Sequence, residues 1–212
     1  MSTCCILLAA GTGARFGSPK QLELLAGRRL VDLAVDVARQ ECGDVVLVLP
    51  AGVRWEGAPV TAVVAGGATR SASVRNGLSA VPDGTIVIVV HDAAHPLATA
   101  ALYRAVIGAV GGGAAAASPF VPLAESLVRR EGDEAVAVVA KDDLVLSQTP
   151  HAFRAEVLRS LLAREVEATD EVSLLISHGT PVALVAGDPA NIHVTTRADM
   201  ALAARILGAR RS

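Results

Sequence analysis

Three stretches of this chain gather residues able to hold and activate a phosphate. The first is AAGTGARFGSPKQ, residues 9–21. Gly11, Gly13 and Gly17 permit positive φ and let a phosphate approach main-chain N–H donors. Arg15 and Lys20 add two cations within the same loop, and Pro19 stiffens the approach to Lys20. Backbone donors combined with mobile positive charge are what a triphosphate needs. Two familiar phosphate motifs are excluded. There is no G-x-x-x-x-G-K-[ST], and Phe16 occupies the third glycine position of the dinucleotide fingerprint G-x-G-x-x-G.

The second stretch is AGGATRSAS, residues 65–73. It opens a helix, so Arg70 and the hydroxyls around it sit where the helix dipole is positive, as a nucleotide-binding group should. A plain tight turn at Gly66–Gly67 before a capped helix fits the same residues. The third stretch is HDAAHP, residues 91–96. Asp92 follows a hydrophobic strand, so its carboxylate should emerge beyond the strand end. There it can hold Mg²⁺ or orient a hydroxyl or phosphate, or else cap the following turn. His91 reads as a packed or capping histidine.

These loops need strands and helices to bring them together. Short, apolar, mostly β-branched runs at Cys4–Ala9, Val45–Leu49, Thr61–Val64 and Thr85–Val90 read as strands. Helical spacing of apolar residues covers Arg28–Glu41, Arg70–Val81 and Thr99–Val110. Such alternation predicts an α/β fold: a doubly wound, mostly parallel, Rossmann-like sheet that binds ligands beyond the carboxyl ends of its strands. From about residue 120 to 147 the pattern loosens into two extended segments around a charged turn, which reads as a projecting β-arm. Helices at Ala152–Arg164 and Thr169–His178, a strand at Pro181–Val185 and a helix at Arg197–Leu207 then return to the core. No linker divides the 212 residues, so one domain spanning 1–212 is expected.

Composition narrows the partners. Hydrophobic residues make up 52% of the chain but aromatics only 2%, and the net charge is −2. That fits a helix-covered parallel sheet and disfavours nucleic-acid binding, which draws on basic patches and stacking rings. No apolar run reaches the ~18–20 residues of a membrane span. The short apolar N-terminal stretch lacks a preceding basic residue and runs into a glycine turn, so a cytoplasmic protein is expected. Cys4, Cys5 and Cys42 have no metal-ligand spacing and read as buried, reduced thiols.

Seven ordered blocks, AAGTGARFGSPKQ, GGATRSASVRNGL, HDAAHPL, VPLAESL, QTPHAF, TDEVSLL and NIHVTTRADMALA, span nearly the whole chain. Together they resemble the 2-C-methyl-D-erythritol 4-phosphate cytidylyltransferase family of nucleotidyltransferases. The resemblance implies transfer of CMP from CTP to an alditol phosphate, with Mg²⁺ and pyrophosphate release, in isoprenoid precursor synthesis. It implies that Ala9, Ala10, Gly11, Thr12 and Gly13 line the nucleotide. Gly66, Gly67 and Ser73 would hold the cytosine, largely through backbone groups. Arg15 and Lys20 would stabilise charge on the α-phosphate, and Asp92 would face Mg²⁺ and the acceptor. Ser126 falls where the family has a threonine, on an arm that reaches a partner's site in a homodimer. Thr169 and Asp170 match the family's Thr-Asp pair.

The sequence departs from the family pattern at the acceptor end. His95 stands where arginine is usual, His193 where lysine is usual, Lys141 where arginine is usual, His151 follows the Q-T-P, and Glu125–Ser126 replace Asp-Thr. Two permanent cations thus become imidazoles with an ordinary pKa near ~6.5, and acceptor affinity should fall as pH rises. A cytidylyltransferase for another acceptor, such as ribitol 5-phosphate, is the alternative these changes raise. A weakly active binding paralogue is disfavoured by intact Arg15, Lys20 and Asp92. A nicotinamide-dependent oxidoreductase is disfavoured because no acid follows the second strand.

Overall fold

A computed structural model describes every residue except Thr12, Ala14, Arg15, Ser18, 164–167 and 211–212. In chain order the strands and helices are β1 (Thr3–Leu8), β2 (Leu24–Leu25), β3 (Arg28–Arg29), α1 (Leu30–Glu41), β4 (Asp44–Leu49), β5 (Ala62–Ala65) and α2 (Arg70–Leu78). Then come β6 (Val87–Asp92), α3 (Ala100–Gly111), β7 (Ala116–Pro122), β8 (Leu127–Glu131), β9 (Glu134–Val139), β10 (Val145–Ser147) and β11 (His151–Arg154). The chain closes with α4 (Ala155–Leu162), α5 (Glu171–Ser177), β12 (Ala183–Ala186) and α6 (Arg197–Ala209).

β1 pairs in parallel with β4 on one side and β6 on the other, and β5 extends the sheet beyond β4. The chain therefore winds β1, β4, β5 outward and then returns to place β6 on the far side of β1. That reversal is a topological switch point, and it opens a crevice at the carboxyl ends of β1 and β6. β11 runs antiparallel between β6 and β7, while β12 pairs in parallel with β7. The result is the expected doubly wound, mostly parallel sheet, with β11 inserted antiparallel and β10 antiparallel beside β7.

The pleat sorts β1 onto two cores. Cys5, Leu7 and Ala9 pack with Val31, Val35, Tyr103 and Val106 of α1 and α3. Cys4, Ile6 and Leu8 pack on the opposite face with Val74 of α2, Leu158 of α4 and Leu174 of α5. A third cluster joins Phe16, Leu30, Leu97 and Val194 to Ala203 of α6. The three cysteines are all buried and reduced.

Several boundaries move from the sequence expectation. The first helix starts at Leu30 because Arg28 and Arg29 pair with Leu24 and Leu25. The helix expected from Ala152 starts at Ala155, because residues 151–154 complete the sheet as β11. The loosened segment is only partly a separate hairpin. Phe120–Pro122 end β7 and Val145–Ser147 form β10, both within the main sheet. Leu127–Val139 alone forms the separate antiparallel pair β8–β9. No described helix is long and apolar enough to cross a membrane.

Candidate functional site

A cleft of about 400 Å³ opens at the switch point. Ala9, Ala10 and Gly11 run along it directly after β1, where the Ala9 N–H donates to the Val48 carbonyl at 2.8 Å. Gln21 is buried and its Nε2 donates to the Gly11 carbonyl at 3.0 Å, which braces the turn from below. Gly13 and Gly17 both take positive φ, 68° and 88°, as a turn this tight requires. Lys20 lines the cleft, and its Nζ donates to the Val194 carbonyl at 2.7 Å. The turn and the 192–194 segment are thereby tied across the mouth. Arg15 and Thr12, both expected at the nucleotide, lie outside the described residues.

The β5–α2 loop forms the facing wall. A Cβ on Gly66 would stand 2.3 Å from the Ala10 Cβ, so only glycine lets this loop lie against the turn after β1. The Gly66 N–H donates to the Leu49 carbonyl at 2.8 Å. The Gly67 N–H donates to Ser73 Oγ at 3.1 Å, and Ser73 Oγ donates to the Thr69 carbonyl at 2.9 Å. Both glycine amides and the Ser73 hydroxyl proton are therefore engaged within the protein, which leaves fewer free donors on this wall than the sequence suggested. Thr69, not recognised from sequence as a cap, accepts from the Ala72 N–H and starts α2.

Arg70, at the first turn of α2, reaches along the cleft wall to two carboxylates. Its Nη1 donates to both oxygens of Glu171, at 2.8 and 2.9 Å. Its Nε and Nη2 face the two oxygens of Asp92 at 3.5 Å. Burial works against charge on this arginine, yet Asp92 and then Glu171 raise its pKa further above the ordinary range. Asp92 ends β6 and opens onto the cleft with its side chain 25% exposed. Burial opposes its ionisation, but Arg70 together with His95, His91 and His151 outweighs burial, and the pKa lies below the usual carboxylate value. Asp92 is therefore a stable anion in the crevice. Glu171, only 2% exposed, was missed from sequence, although it directly follows the Thr169–Asp170 pair. Burial raises its pKa despite Arg70.

Behind Asp92 lies a buried imidazole cluster. Thr149 Oγ1 accepts from the Asp92 N–H at 3.4 Å and lies 2.9 Å from His91 Nδ1 and 3.3 Å from His95 Nδ1. His95 stacks on His193, with ring centroids 4.5 Å apart, and His193 lines the cleft. Asn191 Nδ2 donates to the Thr149 carbonyl at 2.9 Å, which ties the segment carrying His193 to this cluster. Burial pushes His91 down to about 4, and His151 likewise to about 4. It pushes His95 to about 3, with His193 and His91 adding to the effect. The expectation that His95 titrates near neutrality therefore fails: its ring is neutral at physiological pH. His91 is the packed histidine expected.

The remaining expected residues do not line this cleft. Ser126 is exposed just before β8. Lys141 Nζ donates to the carbonyls of Ala124 and Glu125, at 2.7 and 3.4 Å, and so clasps the base of the hairpin beside Ser126. Asp170 caps α5, accepting from the Ser173 N–H at 2.7 Å, and Thr169 is exposed.

The sequence profile of the 2-C-methyl-D-erythritol 4-phosphate cytidylyltransferases matches residues 3–209. The chain belongs to that family. It is 39% identical to the 2-C-methyl-D-erythritol 4-phosphate cytidylyltransferase of Deinococcus radiodurans, over 97% of this chain and 90% of that one. It is also 39% identical to a bifunctional IspD/IspF enzyme of Dinoroseobacter shibae, where it spans 53% of the relative's length. The crystal structure of the Thermus thermophilus cytidylyltransferase superposes with a TM-score of 0.85 at 31% identity, covering 97% of this chain and 98% of that one. In this chain Gly11, Lys20 and Asp92 line the cleft together with His193, which stacks on the buried His95.

Proposed function

We propose that this enzyme transfers CMP from CTP to 2-C-methyl-D-erythritol 4-phosphate and releases pyrophosphate. The observation that carries this reading is the cleft at the β1–β6 switch point, which sets Lys20 and the glycine turn on the same crevice as anionic Asp92. The acceptor's phosphate is itself the nucleophile and needs no general base. One of its oxygens bonds to the α-phosphorus as the bond to the β-phosphate oxygen breaks, and pyrophosphate leaves with that electron pair. The protein's part is positioning and charge neutralisation. Lys20, with Arg15 from the same stretch of sequence, is assigned to the charge that grows on the α-phosphate. Ala9, Ala10, Gly11, Thr12 and Gly13 are assigned to the nucleotide. The carbonyls of Gly66 and Gly67 suit the amino group of cytosine and would repel the uracil carbonyl at the same position.

A divalent metal fits this donor set in one way. Asp92 supplies a single hard carboxylate, and the described residues hold no group of three acidic, histidine or cysteine side chains able to bind a metal alone. That suits Mg²⁺, which is commonly held by one or two carboxylates together with substrate phosphates and water. When bound it would neutralise the triphosphate and the leaving pyrophosphate. Asp92, His95 and His193 are assigned to the acceptor end. Ser126 and Lys141, being outside the cleft of their own chain, are assigned to the site of a second copy reached through the hairpin in a homodimer. Thr169 and Asp170 are left a supporting role at the start of α5.

Pyrophosphate release tests this reading. Wild-type protein should turn over CTP with the methylerythritol phosphate and Mg²⁺, and UTP far more slowly. Lys20→Ala should lower kcat by about 10²–10³-fold, because a preorganised charge at a developing oxyanion is lost, while CTP affinity changes much less. Equal turnover of UTP, or near-normal kcat in Lys20→Ala, contradicts it.

A further inference from the structure

The guanidinium of Arg70 serves its two carboxylates unequally. Nη1 closes on both Glu171 oxygens at 2.8 and 2.9 Å, normal lengths for a charge-assisted bond. The other edge, Nε with Nη2, faces both Asp92 oxygens in the geometry of a two-bond fork, yet stands at 3.5 Å. That is about 0.7 Å longer than such a fork when closed. Arg70 is aligned to grip Asp92 and is held back from doing so.

Glu171 is the group that holds it. At 2% exposure it has lost its water, and Arg70 is the cation bonded to it, so releasing Arg70 would strand a buried charge. Asp92, a quarter exposed on the cleft, keeps partial hydration and tolerates the longer contact. Glu171 also begins α5, whose Val172, Leu174 and Leu175 are buried in the core, so its carboxylate cannot follow Arg70 toward the cleft.

We propose that Glu171 is a positioning residue which, by chelating Arg70, keeps the Asp92 carboxylate available to the metal and acceptor. This rests on the role assigned to Asp92 above. Arg70 is accordingly a regulator of Asp92 rather than a grip on the nucleotide. Without the Glu171 charge, Arg70 swings onto Asp92, completes the fork and competes with the ligands of that carboxylate.

The test uses Glu171→Gln, which keeps the shape and one acceptor oxygen but removes the charge. In crystals of this variant the Arg70–Asp92 contacts should shorten to about 2.8–3.0 Å. KM for the acceptor and half-saturating Mg²⁺ should each rise about tenfold, while KM for CTP stays within about twofold. In an Arg70→Gln background, adding Glu171→Gln should raise acceptor KM little further, since no guanidinium remains to close on Asp92. Glu171→Asp retains the charge and should keep acceptor KM within about threefold of wild type. It carries the comparison with wild type if Glu171→Gln does not fold. An unchanged Arg70–Asp92 distance overturns the proposal. So do acceptor and CTP constants that rise together, an undiminished penalty in the Arg70→Gln background, or an acceptor KM in Glu171→Asp far above wild type. Absence of turnover in the wild type would instead count against the assigned reaction, and the crystallographic distance would still judge Glu171.

Discussion

His95 shows how a single side chain changes meaning between sequence and structure. In sequence, the HDAAHP block invites the picture of a titrating cation at the acceptor phosphate. In the fold it is buried beneath His193 and beside Thr149, and burial holds it neutral down to about pH 3. The consequence is a dependence of stability on pH. His91, His95 and His151 bind protons near ~6.5 when unfolded but only near 4, 3 and 4 when folded. The unfolded chain thus binds more protons below neutrality, and stability must fall as pH drops. The contribution is intact above about pH 6.5 and is lost progressively toward pH 4. Melting temperature measured from pH 7.5 to 4.5 should decline from about 6.5 downward, with His95→Gln flattening part of the slope. A melting temperature unchanged across that range would mean the three rings are not held neutral.

At the scale of elements, the parallel strands and their helices were legible because apolar periodicity marks them directly. β1, β4 and β6 are runs such as CCILL, DVVLVL and VIVVHD, buried almost throughout. β7 was not legible. Its AASPFVP has little β-propensity, and its place is set by β10, β11 and β12 pairing around it. β11 was hidden for a related reason: HAFR runs straight into α4 without a turn, so helical spacing extends across it. Of the site, Gly11, Lys20 and Asp92 were readable as loop chemistry after strands. Glu171 was not, because its partner Arg70 is 101 positions away. The close approach of two loops gives an element-scale prediction. Gly66→Ala places a Cβ 2.3 Å from the Ala10 Cβ, forcing the β5–α2 loop off the turn after β1. Overpacking of this kind costs about 1–3 kcal/mol, which urea unfolding would register along with weakened CTP binding. Adding Ala10→Gly should recover most of both. If Gly66→Ala binds CTP normally, the two loops do not form one wall.

At the scale of the whole molecule, the cleft proposed for the nucleotide lacks some of the expected acceptor residues, Ser126 and Lys141 among them. The β8–β9 hairpin exposes Val128, Val136 and Val138, the last at 80%, which is the kind of apolar surface a partner covers. If a second copy completes the site, mixing Lys20→Ala subunits with Lys141→Ala subunits should restore activity above that of either variant alone. One of the two composite sites in each heterodimer is then fully wild type. A fully active monomer in solution would exclude that arrangement. The central claim concerns the reaction itself, and the changed acceptor end makes acceptor choice its most exposed point. Pyrophosphate release from CTP and Mg²⁺ should be measured against a panel of alditol phosphates, with kcat/KM determined for each. The account predicts that 2-C-methyl-D-erythritol 4-phosphate is used most efficiently, with ribitol 5-phosphate and erythritol 4-phosphate well behind. Preferential use of ribitol 5-phosphate, or no pyrophosphate with any acceptor, would contradict it.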